Sequence, residues 1–262
     1  MSRVSGGLGV VIALLAGALP AQERGTLAAR VAATSDRVVR FSAPARDGIC
    51  GMGEGNVSRG DGAGRWRREA SRYWDGGDAC TRGPLRVVLE RGESGTNRVR
   101  FFLGGQWRND APGIDLGDVS APEAAVVLGD VVQHAPARPA TDAMVPLTLL
   151  AHVDAVRPLL ITARDATRPR EVRKSAVFWL SQAAQDVVAP LGALATEDPD
   201  VEIRKQAVFG LSQRPTEEAV PALIRIADSR RDPEIRRTAI FWLGQKDDPR
   251  VLTWLEKALA PH

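Results

Sequence analysis

Three stretches decide the fold: Glu171–Gln182, EVRKSAVFWLSQ; Glu202–Gln213, EIRKQAVFGLSQ; and Glu234–Gln245, EIRRTAIFWLGQ. They align without gaps at offsets of 31 and 32 residues. Within them Val172, Ile203 and Ile235, then Ala176, Ala207 and Ala239, then Leu180, Leu211 and Leu243 fall at i, i+4 and i+8, the apolar stripe of a helix. Acid-proline pairs precede two of the stretches, Asp198-Pro199 and Asp232-Pro233, and the second has the form of an N-cap followed by proline at the first helical position. Self-similarity at this period is the mark of a repeat architecture.

A second helix follows each unit. Val156, Val188, Val220 and Val251 recur at spacings of 32, 32 and 31, each with Leu159, Leu191, Leu223 or Trp254 three residues on. The first of these belongs to a worn leading repeat whose partner helix is expected at Asp142–Ala151. The pattern Pro233–Gln245 (PEIRRTAIFWLGQ), a turn, then Pro249–Leu259 (PRVLTWLEKAL) resembles the HEAT-like repeats also found in phycobilin lyases. The resemblance covers about residues 140–260. It implies stacked antiparallel helix pairs that share a continuous core and act through an extended surface. The residues alone imply the same stacking, because one amphipathic pair cannot hide its apolar face. Trp179 and Trp242 stand where the middle repeat has Gly210. A helix-interior glycine costs ~1 kcal/mol relative to alanine, and room for a neighbouring Trp ring is the expected compensation.

Upstream the composition changes. Residues 25–110 are Gly-rich, with β-type runs at Arg37–Phe41, Leu85–Leu89 and Val99–Leu103, the last two flanking a hairpin loop at Gly92–Asn97. Ser120-Ala-Pro-Glu123 reads as a capping box opening a helix at 120–134, and 135–141, with Pro136 and Pro139, as a linker. The expected chain is therefore α+β in two parts: a small β-rich domain over 25–110, then a C-terminal α-α solenoid over 142–262 of three and a half to four helix pairs.

The N-terminus has the tripartite form of a secretory signal: Arg3, an uncharged run from Gly6 to Leu19, then Ala16, Ala18 and Ala21 before polarity returns. Residues 1–21 are read as that signal, with cleavage after Ala21 and a periplasmic or secreted product that keeps no membrane insertion. In an oxidising compartment the only two cysteines, Cys50 and Cys80, are expected to form a disulfide. Its loop of about 30 residues suggests roughly 3–4 kcal/mol of stabilisation in the chain-entropy treatment.

Composition narrows function. A formal charge of +3 with interspersed signs is no nucleic-acid footprint. No nucleophile elbow, phosphate loop or HExxH is present. His134, His152 and His262 sit apart from the cysteines, and no His-Glu dipeptide exists of the kind by which HEAT-repeat iron hydroxylases hold their metal. Glu171, Glu202 and Glu234 recur in first helical turns, where an acid complements the helix dipole. Asn56-Val57-Ser58 matches a glycosylation acceptor only at chance frequency, and Arg65–Arg68 reads as a solvated basic stretch. No catalytic set, metal site or cofactor is expected.

A surface column remains. At 100° per residue, Lys174, Phe178 and Gln182 share a face away from the stripe. The same face carries Lys205, Phe209 and Gln213, then Arg237, Phe241 and Gln245. Stacked repeats would turn these into a ladder for a partner, or the rings would pack against the adjacent repeat. The leading expectation is a non-catalytic exported adaptor that docks a protein partner, such as an envelope sensor or protease, through the solenoid. Binding of a tetrapyrrole or another small molecule, by analogy with the lyases, and an enzyme in the 25–110 domain are the alternatives.

Overall fold

The computed structural model describes residues 25–51, 53–55, 57–59, 73–75, 80–93, 95–183, 186–229 and 231–259. The signal expected at 1–21 and the basic stretch Arg65–Arg68 lie outside the described residues.

The described residues open with a short helix α1 (Leu27–Ala33), capped by the Thr26 hydroxyl, and strand β1 (Val38–Ala43). Two short strands follow, β2 (Ile49–Gly51) and β3 (Val57–Arg59), then β4 (Trp74–Asp75). The long strands are β5 (Leu85–Gly92) and β6 (Gly95–Leu103), followed by β7 (Gln106–Trp107) and β8 (Ile114–Asp118). The main sheet has the order β6-β5-β1-β8, with β8 parallel to β1 and the other pairs antiparallel. The β5–β6 hairpin closes more tightly than a Gly92–Asn97 loop: pairing continues to Gly92 opposite Gly95. Gly95 has a φ of +107°, open to glycine because it carries no Cβ. The Cys50–Cys80 disulfide is present, beside a β-bridge between Gly51 and Thr81.

Side-chain alternation divides the sheet. Val39, Phe41, Leu85, Val87, Leu89, Val99, Phe101 and Leu103 face the helices; Val88 and Phe102 face the other way and pack with Tyr73 and Trp107.

Nine helices follow among the described residues: α2 (Ala121–His134), α3 (Ala137–Leu149), α4 (Val156–Arg164), α5 (Arg170–Ser181), α6 (Val188–Glu197), α7 (Val201–Ser212), α8 (Thr216–Asp228), α9 (Pro233–Leu243) and α10 (Pro249–Leu259). They stack in two layers. α3, α5, α7 and α9 form one; α2, α4, α6, α8 and α10 form the other. The capping box of α2 is complete: Glu123 N–H donates to the Ser120 hydroxyl, and the Glu123 carboxylate accepts from the Ser120 backbone.

Two boundaries differ from the sequence reading. The linker expected at 135–141 shrinks to Ala135 and Pro136, because α3 starts at Ala137. Pro136 ends one helix and caps the next, and Pro139 fits the first turn of α3, where its missing N–H costs nothing. The array also starts before residue 142, since α2 takes a place beside α4 and α3 beside α5. One continuous apolar core runs from Leu27 through the sheet, α2 and α3 to Val251 in α10. A backbone strap reinforces the union: Ala45 bridges Leu150, Arg46 N–H donates to Leu149 C=O, and Ala151 N–H donates to Pro44 C=O. The sheet therefore covers the apolar end of the array that a terminal repeat would otherwise expose.

Arginines knit neighbouring repeats together. Arg173, 4% exposed, donates through Nε to Ala163 C=O at the end of α4 and through Nη2 to the buried Asp198 carboxylate. One repeat on, Arg204 donates to Asp198 C=O and to Asp232. Arg236 reaches Ala227 C=O, the counterpart of Ala163. Helix C-terminal carbonyls lack partners within their own helix, so these guanidiniums satisfy acceptors that would otherwise be orphaned. Asp232 caps α9 with Pro233 next to it, as the sequence predicts. Before α7 the roles divide: Asp200 is the N-cap, while Asp198 is drawn inward to Arg173.

Gly210 is not answered by a tryptophan. A Cβ there would meet Ser181 Cβ at 3.1 Å and Leu191 Cδ2 at 3.3 Å, so glycine lets α7 approach the end of α5 and the flank of α6.

Candidate partner-binding face

The ladder positions share one layer of helices. Val172, Ala176 and Leu180 are fully buried, as are Ile203, Ala207 and Leu211, and this turns Phe178, Phe209 and Phe241 to the outer side of α5, α7 and α9. None of the three rings is buried. Phe178 and Phe209 are half-buried, and Phe241 is 58% exposed.

The rings are nevertheless in contact. Phe178 and Phe209 lie parallel, 10° apart in plane with centroids 6.5 Å apart. Trp179 meets Phe178 edge-on at 5.0 Å, Trp242 meets Phe209 at 5.2 Å, and Phe241 meets Trp242 edge-on at 5.1 Å. Five aromatic side chains thus run unbroken across three repeats, Trp179–Phe178–Phe209–Trp242–Phe241. Each inner ring packs on its neighbour and still presents surface. Sequence reasoning missed Trp179 and Trp242 as members. Their position one residue after Phe178 and Phe241 was the available signal, since consecutive residues on a helix are only 100° apart and large rings span that angle.

The polar rungs differ from repeat to repeat. Lys205 is held by Glu202 at 3.0 Å and by Glu234 of the next repeat at 2.6 Å, which raise its pKa through hydrogen bonds to those carboxylates. Lys174 and Arg237 have no ion pair among the described residues. Gln182 and Gln213 each donate one N–H to the preceding serine hydroxyl, Ser181 or Ser212, at 3.2 Å. Gln245 is exposed at the equivalent place.

The glutamine end of the ladder opens into a cleft. Its floor is Ser181, Gln182, Ala183, Gln213 and Arg214; its opposite wall is the segment Arg46–Ile49 after β1, which encloses about 680 Å³. The same segment borders an adjoining hollow of about 490 Å³ against Leu147–Val153 and another of about 650 Å³ against Arg82–Pro84 and Asp118. Nothing in the sequence signals this cleft, because its two walls are more than 130 residues apart. No cluster of three or more His, Cys, Asp or Glu side chains able to hold a metal occurs among the described residues.

These features define a class: a helical-repeat array, closed at one end by a sheet, with an aromatic ladder on one layer of helices. Residues 153–232 and 188–262 match the HEAT-repeat family, and helices α4–α10 are HEAT repeats. Comparison with curated proteins finds no match.

Proposed function

We propose that this protein is a non-catalytic adaptor acting outside the cytoplasm, and that it docks a protein partner of the cell envelope, of the sensor or protease kind, on the aromatic ladder of α5, α7 and α9. The carrying observation is the run of five touching rings that stays open to solvent. Binding energy at protein interfaces concentrates in a few aromatic and arginine side chains set in packed surroundings, and here the packing beneath the rings is already formed. HEAT repeats commonly serve as protein-interaction scaffolds, which agrees with this reading. An oxidising compartment is supported by the Cys50–Cys80 disulfide. No described helix is long and apolar enough to cross a membrane.

Phe241 supplies the test. It is the most exposed ring, so Phe241→Ser should leave the melting temperature within about 2 °C of wild type, since surface changes are usually within ±0.5 kcal/mol. Affinity capture from an envelope fraction, with wild-type and Phe241→Ser chains in parallel, is expected to lose its partner with the variant. Equal capture by both chains would refute the ladder as the docking face.

A further inference from the structure

On the face of the sheet turned away from the helices, Arg40 lies opposite Val88 in the β1–β5 pairing, and Val88 packs there with Tyr73, Phe102 and Trp107. The Arg40 guanidinium rests 5.6 Å from the centroid of the Trp107 ring, and that of Arg86 rests 5.4 Å from it. We propose that Arg40 and Trp107 form a binding site for a singly charged carboxylate, a site independent of the aromatic ladder.

The carrying observation is a set of orphaned donors. Arg40 and Trp107 are half-buried; Nε and Nη1 of Arg40 and Nε1 of Trp107 are shut away from solvent without a hydrogen-bond acceptor. Buried donors are nearly always paired in native proteins, so a group of orphans points to an acceptor supplied from outside the chain. Arg168 and Arg204 also leave Nε idle, but each anchors another nitrogen on a carbonyl or a carboxylate. Arg40 makes no hydrogen bond or ion pair among the described residues.

The neighbouring charges are committed elsewhere. Asp115 stands beside Arg40 in the β1–β8 pairing, yet its Oδ1 accepts from Gly117 N–H. Glu90 and Glu54 hold Arg100. Arg86 donates to Ser42 Oγ and to the carbonyls of Gly104 and Gly105. Burial lowers the Arg86 pKa, opposed by Asp118 and Asp115, so the surroundings of the ring are poorly solvated. A single guanidinium is left without an anion, which calls for a single negative charge. A dianion such as phosphate would stand against Asp115 and Asp118. A halide gives no directed acceptor. A carboxylate offers two directed oxygens to the N–H groups, and its organic part can lie on half-buried Val38 and Trp107.

Isothermal titration calorimetry on the full chain tests this with sodium acetate, N-acetyl-trialanine bearing a free C-terminus, and the same peptide as its C-terminal amide. The free acids should bind saturably at one site, and the amide about tenfold more weakly or worse, because it lacks the charge. Acetate matching the peptide acid would mark a free small acid as the ligand; a peptide acid that binds more tightly would mark a chain terminus. Arg40→Met should abolish binding and, since Arg40 has no partner to lose, should melt no lower than wild type in carboxylate-free buffer. Trp107→Phe keeps a ring beside the cation and removes the N–H, and should weaken binding by about tenfold. Each of the following would overturn the proposal: no saturable heat at high millimolar acid, equal binding of the amide, or equal binding of chloride or phosphate. So would undiminished binding by either variant, or a marked fall in the melting temperature of ligand-free Arg40→Met, which would mean that Arg40 is already partnered.

Discussion

Replacing Arg173 with Met should be the most damaging single change in the repeat array. The side chain is 4% exposed and bonds two acceptors, Ala163 C=O and the Asp198 carboxylate. Methionine keeps much of the volume and removes both donors. Asp198 is itself only 7% exposed. Its other oxygen accepts from Asp200 N–H at 2.9 Å, so the carboxylate is held in place and left inside without a counter-charge. Breaking a buried pair in this way costs about 3–5 kcal/mol. The stranded carbonyl adds part of the ~1–3 kcal/mol typical of an unsatisfied acceptor, so roughly 4–6 kcal/mol is expected in all. In a chain of this size each kcal/mol moves the melting temperature by ~2–4 °C, which places the loss near 8–24 °C. Differential scanning calorimetry at pH 7 measures it directly. Arg173→Met/Asp198→Leu should recover most of the loss, because a packed apolar pair is often as stable as the ion pair it replaces. Arg204, whose pair with Asp232 is more open, should cost less, and Arg236, exposed, least. A loss below 1 kcal/mol for Arg173→Met, or a double variant no better than the single, would refute the reasoning.

Asp142 offers a pH test. Burial raises its pKa, opposed by a hydrogen bond from Val99 N–H and by Arg138, Arg98 and Arg100, and its Oδ2 is buried without a partner. A carboxyl whose folded pKa is raised makes the fold less stable as pH climbs from the ordinary carboxylate range through the folded value. Asp142→Asn should therefore raise the melting temperature at pH 7, with the gain fading towards pH 3; equal melting at pH 7 would count against the burial argument. Gly210→Ala should destabilise by about 1 kcal/mol despite better helix propensity, since crowding costs ~1–3 kcal/mol against a gain of ~1, and chemical denaturation showing net stabilisation would mean that Ser181 and Leu191 yield freely. Cys50→Ser/Cys80→Ser should cost about 3–4 kcal/mol, from a cross-link 30 residues apart, read as a lower denaturation midpoint with the helical circular dichroism signal retained.

The repeats were legible because their physics is local and repeated. Ile203, Ala207 and Leu211 announce a buried face three times over, and all three are fully buried. The disulfide was legible for want of any other cysteine. The start of the array was not, because α2 carries no copy of the repeat motif and joins through shape alone. The strap at Ala45–Arg46 was invisible for a different reason: backbone pairing to Leu149–Ala151 leaves no trace in side-chain pattern. Of the ladder, Phe178, Phe209 and Phe241 could be placed on one face by angle. The stacking of Phe178 on Phe209, the bridge from Phe209 to Phe241 through Trp242, and the capture of Lys205 by two carboxylates depend on repeat-to-repeat offsets that periodicity does not contain. Arg173 was passed over because arginine in a sequence reads as surface.

The strap that ties the sheet to α3 also governs how the cleft can behave over time. The Arg46–Ile49 wall is pinned at one end by the strap and at the other by Ile49 in the shared core. A guest then needs no prior opening step. Association should follow simple second-order kinetics, with a single rate that scales linearly with guest concentration and never levels off. Discrimination among guests would then reside in how long each one stays.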